Sequence, residues 1–232
     1  MISDNINSVR ERISRACARA GRSSSEVTLL AVGKTFPSSA VREAVRAGVA
    51  DIGENYVQEL LSKRRDLSGS DVRWHFIGHL QSNKVKNVAP WIHMIHAVDS
   101  TALAIEIDRR AAKAGRVIEC LLEVNTTGEN TKFGVAPGEV TALVRSLASC
   151  DNIALGGLMT IGPFLPDPEG SRPMFRRLRE LKDEIRSLAQ ANVTMRHLSM
   201  GMTGDFEVAI DEGATLVRIG TAVFGPRTRA DH

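Results

Sequence analysis

Two rhythms of apolar residues alternate along this chain. Residues 3–20 carry Ile6, Val9, Ile13 and Cys17 at helical spacing, after Ile2 and before Gly21. That pattern predicts a helix with a glycine stop. Residues 27–33 then form a near-continuous apolar run, Val27-Thr28-Leu29-Leu30-Ala31-Val32-Gly33, ending at Lys34. Such a run predicts a strand buried on both faces, as in parallel sheets. Pro37-Ser38-Ser39 opens a second helix with Val41, Ala44 and Val45 on one face. The alternation continues with strands at 51–55, 73–78, 93–99, 117–125, 153–160, 194–200 and 216–224. Helical patterns separate them at 56–67, 82–91, 100–114, 139–150, 175–188 and 206–212. Ser100 stands where the fifth helix needs an N-cap, and Gly115 stands just past its end.

Eight strands alternating with helices over about 200 residues is the count of a (β/α)8 TIM barrel. An open doubly wound sheet would carry G-x-G-x-x-G after its first strand, whereas this strand ends Gly33-Lys34-Thr35. The expectation is therefore an α/β protein with one barrel domain over residues 1–232. Residues 1–24 form an extra N-terminal capping helix and 226–232 a polar tail.

Composition narrows the function classes. The 232 residues are 43% hydrophobic and 25% charged, ordinary globular usage. The net charge of +3 is spread along the chain and only 4% of residues are aromatic, so neither a basic footprint nor a stacking platform for nucleic acid is expected. Cys17, Cys120 and Cys150 are odd in number and not at metal-ligand spacing, which argues against a disulfide framework or a metal site and for a reducing compartment. No window approaches the ~20 apolar residues of a membrane span. Asp4 and Glu11 interrupt the region where a signal peptide would have its apolar core. A cytoplasmic location is expected.

In a parallel barrel the strand C-termini share one face, and ligands bind there. The residues at those ends include Lys34, Asn55, Asn125, Ser199-Met200-Gly201 and Arg218-Ile219-Gly220-Thr221. A strand-end lysine that is partly desolvated becomes a nucleophile toward carbonyls, although a lysine in that place also serves as a solvated cap. The loops after strands 7 and 8 commonly build a barrel phosphate site, and here both are rich in Gly, Ser and Thr. Arg218 lies inside an apolar strand and needs partners: either a barrel carboxylate such as Glu54 or Glu123, or a ligand heteroatom.

Five ordered motifs carry a resemblance. They are Ala31-Val32-Gly33-Lys34-Thr35, Gly53-Glu54-Asn55-Tyr56-Val57-Gln58-Glu59, Trp74-His75-Phe76-Ile77-Gly78-His79-Leu80-Gln81-Ser82-Asn83-Lys84, Leu198-Ser199-Met200-Gly201-Met202, and Val217-Arg218-Ile219-Gly220-Thr221-Ala222-Val223-Phe224-Gly225. Over nearly its whole length the chain resembles the pyridoxal phosphate homeostasis protein family, itself related to the N-terminal barrel of alanine racemase (fold type III). The resemblance implies a bound pyridoxal 5′-phosphate (PLP) held as a Schiff base on Lys34. It implies a role in storing and delivering PLP to apo-enzymes, without established turnover, by a chain expected to be a monomer. Arg218 would face the pyridine nitrogen, Asn55 would lie beside the ring, and Ser199, Gly201, Gly220 and Thr221 would hold the phosphate. Lys132 matches a family lysine on the strand-5 loop.

The sequence departs from the family at Gly33, at Phe36 and in the tail Arg227-Thr228-Arg229-Ala230, where many members have a small hydroxyl residue, a second lysine and further lysines respectively. An arginine opposite the ring nitrogen keeps that nitrogen unprotonated and weakens the ring as an electron sink. Two other readings stay open, an amino-acid racemase and a PLP-free Schiff-base aldolase. Racemisation needs an acid/base on each face of the substrate. Tyr56 is the one tyrosine, and no second domain is expected after strand eight. His79 is the base that could reach the ligand from its loop, and His75 is expected to be a satisfied core residue.

Overall fold

The structure is a computed structural model that describes residues 1–128, 133–163, 165–188 and 190–226. Its strands are β1 Thr28–Val32, β2 Asp51–Glu54, β3 Arg73–Phe76, β4 Met94–Val98, β5 Ile118–Glu123, β6 Ile153–Met159, β7 Val193–Ser199 and β8 Leu216–Ile219. They form a closed parallel barrel in sequence order, with β8 pairing back onto β1 through Thr28↔Leu216 and Leu30↔Arg218. The helices are α1 Ile2–Arg19, α2 Ser38–Arg46, α3 Val57–Asp66, α4 Val85–Val88, α5 Thr101–Lys113, α6 Val140–Ser146, α7 Arg172–Arg186, α8 Phe206–Asp211 and α9 Thr221–Phe224.

The local signals explain most of these boundaries. Ser100 caps α5 by accepting from the Leu103 N–H, and the buried face of α5 is Leu103, Ala104, Ile107 and Ala111. The N-terminal helix buries Ile6, Val9, Ile13, Ala16 and Cys17. It packs against α8, α9 and α2, in the outer layer beside the seam where β8 meets β1. Arg12 fixes it to α8 through Glu207 at 2.7 Å.

Three expected elements differ. The eighth strand does not run to 224. It stops at Ile219, because Gly220 (φ −104°, ψ −80°) leaves the extended region and the N–H groups of Val223 and Phe224 fold back onto its carbonyl at 3.0 and 2.9 Å. The apolar Ala222-Val223-Phe224 continues the strand pattern for another reason. The Phe224 ring packs tilted against Phe36 with centroids 4.9 Å apart, and the Val223 carbonyl accepts from Asn5 Nδ2 on α1 at 2.9 Å. The helices expected at 82–91 and 139–150 are each shorter, a 3₁₀ turn leading into α4 and two 3₁₀ turns flanking α6.

Apolar side chains fill the layer between barrel and helices. The barrel interior is mixed. Met94, Ala97, Leu121, Met159 and Leu216 form one small apolar cluster and Leu30, Val32 and Ile77 another. Asp51, His75, His96, Ser199 and Arg218 are buried among the polar groups, each with hydrogen-bond partners, as burial of polar atoms requires.

Candidate functional site

Lys34 sits in the turn immediately after β1, half-buried. Both of its neighbours are anchored. The Gly33 carbonyl accepts from Lys63 Nζ at 2.7 Å, and the Thr35 N–H donates to Glu59 Oε2 at 2.8 Å. Thr35 adopts φ +67°, an unusual conformation for a β-branched residue, which persists only where surrounding contacts hold it. Those contacts come from α3. Lys63 is buried and also binds Glu54 Oε1 at 2.8 Å and Glu59 Oε2 at 2.9 Å. Burial lifts the Glu54 carboxyl to about 7, with Lys63 opposing the rise. Its Oε2 has no hydrogen-bond partner among the described residues.

Arg218, the third residue of β8, is 5% exposed. Nη1 donates to the Ser199 carbonyl at 2.7 Å and to Ser199 Oγ at 2.8 Å, and Nη2 donates to the Thr160 carbonyl at 2.7 Å. Among the described residues no carboxylate lies within ion-pair distance of it, so neither Glu54 nor Glu123 is its partner. Burial pulls the guanidinium down to about 10. Burial also pushes Glu123 up to about 7, with Asp99 adding to the rise and Arg218 opposing it.

Lys34 and Arg218 wall one cavity of about 260 Å³ at the C-terminal face of the barrel, together with Asn55, Gly220 and Thr221. Its volume suits a ligand of single-ring size. Val32, Phe36, Ile77 and Ile161 give it an apolar wall, and Met202 and Thr203 complete the rim. The loops after β7 and β8 face each other across it, with the Thr221 and Thr203 hydroxyls 3.2 Å apart. Asn55 Oδ1 is buried with no hydrogen-bond partner among the described residues. The close approach of the segment after β3 to Asn55 depends on Gly78, where a Cβ would lie 2.4 Å from the Asn55 carbonyl oxygen.

Two expected site residues stand behind this cavity rather than on its lining. Ser199 is fully buried, and its hydroxyl meets His96 Nδ1 at 2.9 Å and Arg218. Gly201, at φ +89°, could carry no Cβ, which would sit 2.6 Å from Ala209 Cβ. Its carbonyl accepts the Arg218 N–H at 3.0 Å, so it holds β7 against β8. Sequence reasoning missed Thr203, although it lies in the loop already singled out. It also missed the Lys63 cluster, because a Glu59/Lys63 pair four apart on a helix normally reads as a solvated surface pair.

The remaining candidates lie elsewhere. Tyr56 is exposed ahead of α3. His79 stacks on Phe133 at 4.1 Å and faces Asp99 at 3.4 Å; neither Tyr56 nor His79 lines the cavity. His75 is 1% exposed and hydrogen-bonded to Asp51 and His96, as expected of a satisfied core residue. Lys132 falls outside the described residues. Asp51, His75 and His93 bring possible metal-ligand atoms within 4.8 Å of one another, but Arg73 already grips the Asp51 carboxylate with two hydrogen bonds.

Comparison with known proteins agrees with this architecture. The family model for the alanine racemase N-terminal domain matches residues 5–228. The pyridoxal phosphate homeostasis protein of Aquifex aeolicus is 48% identical over 224 residues, 97% of each chain. The structure of PipY from Synechococcus elongatus with PLP bound superposes with a TM-score of 0.85 at 33% identity, covering 97% of this chain and 100% of that one. An alanine racemase from Clostridium difficile shares the fold, with a TM-score of 0.74 at 14% identity over 99% of this chain and 58% of the racemase.

Proposed function

The chain belongs to the pyridoxal phosphate homeostasis protein family, within the larger alanine racemase N-terminal domain family, and from that premise we propose that it binds PLP and serves PLP homeostasis by holding the cofactor for delivery. One observation carries the reading: Lys34 and Arg218, from strands adjacent across the barrel seam, wall a single cavity with the facing Thr203 and Gly220-Thr221 loops.

The donor set fits the group. PLP, when bound, supplies an aldehyde that condenses with an amine and a ring that withdraws electrons. Lys34 offers the amine. Arg218, a donor at every nitrogen, requires an acceptor opposite it, and an unprotonated pyridine nitrogen is one. Thr203, Gly220 and Thr221 offer hydroxyl and backbone donors for a phosphate. Asn55, whose buried Oδ1 has no hydrogen-bond partner among the described residues, would lie beside the ring. Val32, Ile77 and Phe36 give the cavity an apolar wall beside Lys34. Ser199 and Gly201 belong to the site through Arg218, which they hold by side chain and backbone.

The same set speaks against an amino-acid racemase. Among the described lining residues Lys34 and Arg218 are the only ionisable side chains, and Arg218 stays protonated, so the described lining supplies no second acid/base group for a two-sided proton transfer. The absorption spectrum of the purified protein tests the reading. A visible absorption band from lysine-bound PLP is expected, and it should survive addition of free amino acids without D-isomer formation. A colourless protein that also fails to take up added PLP would contradict it.

A further inference from the structure

A line of hydrogen bonds crosses the barrel interior from its N-terminal end to the cavity. Arg73 Nε donates to Asp51 Oδ1 at 2.7 Å. Asp51 Oδ1 also faces His75 Nε2 at 3.0 Å, His75 Nδ1 faces His96 Nε2 at 2.9 Å, and His96 Nδ1 faces Ser199 Oγ at 2.9 Å. Ser199 Oγ receives Arg218 Nη1 at 2.8 Å. His75, His96 and Ser199 are each at most 1% exposed, so no water competes for these atoms.

The protons in this line have one consistent arrangement. Asp51 accepts only, because His75 and Arg73 hold its carboxyl down to about 2 despite burial. His75 must therefore carry its proton on Nε2. Burial depresses both histidines, so each ring is neutral with a single N–H. His75 Nδ1 then accepts, and His96 must donate from Nε2. His96 Nδ1 accepts in turn, and the Ser199 hydroxyl must donate to it. That leaves the Ser199 lone pairs for Arg218. Every bond points from Arg218 toward Asp51. Reversing the line would give Ser199 Oγ two donors, His96 and Arg218, and leave its own proton without an acceptor among the described residues.

We propose that Asp51 is a positioning residue for Arg218, acting across the barrel through His75, His96 and Ser199, so that the guanidinium is held to select a ligand atom that accepts a hydrogen bond. The consequence for ligand choice rests on the reading of Arg218 as the ligand-facing cation. The line itself does not, and the cofactor-free protein tests it separately.

Long-range ¹H–¹⁵N spectra of the cofactor-free protein should show His75 and His96 both as Nε2–H tautomers. In Asp51→Asn the carboxamide can donate to His75 Nε2, and both rings should move to Nδ1–H. The Arg218 guanidinium resonances should shift as Ser199 is forced to accept twice. In a Ser199→Ala background the same Asp51→Asn change should leave the Arg218 resonances unmoved. With PLP added, Asp51→Asn should weaken binding about tenfold, the scale of one buried hydrogen bond left unmade. A native Nδ1–H ring at either histidine would overturn the proposal. So would an Arg218 shift of equal size with and without the Ser199 hydroxyl. Should Asp51→Asn not fold, the native tautomers and the Arg218 shift in Ser199→Ala alone decide: both rings as Nε2–H with a displaced Arg218 resonance support the line, and any other result sinks it. If the tautomers are as stated but PLP does not bind, the functional reading fails and the line stands.

Discussion

Lys63 donates to the backbone carbonyl of Gly33 at 2.7 Å, so a buried ammonium on α3 holds the residue next to Lys34. The same nitrogen binds Glu54 and Glu59, and Glu59 takes the Thr35 N–H. The turn that presents Lys34 is thus fixed from outside the barrel, on both sides of the lysine.

Removing that ammonium should loosen the turn and leave Glu54 buried and unpaired. Lys63→Met is expected to lower stability by about 3–5 kcal/mol, the usual consequence of breaking a buried pair from one side. It should also weaken PLP uptake, although Lys63 does not line the cavity. Urea unfolding and PLP titration of the same preparation check both. A Lys63→Met protein with unchanged midpoint and unchanged PLP affinity would show that the cluster does not hold the turn.

Glu123 gives a pH dependence with a definite sign. Its carboxyl is raised from the ordinary 4.5 to about 7 in the folded chain. Between those values the folded state holds a proton that the unfolded state has released. This contribution is therefore complete below about 4.5 and is lost as pH rises through 7. A carboxyl displaced that far is worth on the order of 3 kcal/mol. Glu54 acts in the same direction. Glu123→Gln should reduce the loss of stability between pH 5 and 7.5, measured by urea midpoints without cofactor. An unaltered slope would place the Glu123 proton elsewhere.

Racemisation should be absent. Incubated with PLP and L-alanine in heavy water, the protein is expected to yield no D-alanine. Any exchange at Cα should proceed with retention, because Lys34 reaches one face only. D-alanine appearing at about 10 per second, the ordinary enzyme scale, would contradict the reading, and His79, 40% exposed in its side chain, would be the first residue to replace.

Much of the fold was legible because its signals are local. Each apolar run bounded by polar residues became a strand, and Ser100 with Gly115 framed α5 as their chemistry requires. The eighth strand read too long because Ala222, Val223 and Phe224 are apolar for packing against α1 and Phe36, which a strand pattern cannot distinguish. At the site, Lys34, Asn55, Arg218, Gly220 and Thr221 were legible as strand ends that a parallel barrel gathers on one face. The orientation of Ser199 was not, because His96, 103 residues earlier in the chain, decides where the hydroxyl points. Nor was the Lys63 cluster, whose partners Gly33 and Glu54 come together only after β1, β2 and α3 have packed.

The central claim is that Lys34 holds the cofactor. Borohydride reduction of the PLP-loaded protein, followed by proteolysis and mass spectrometry, tests it most directly. The pyridoxyl label should fall on the peptide carrying Lys34, and Lys34→Ala should lose the visible band while keeping a native circular dichroism spectrum. A label found on Lys84 or Lys132 with Lys34 unmodified would contradict the claim.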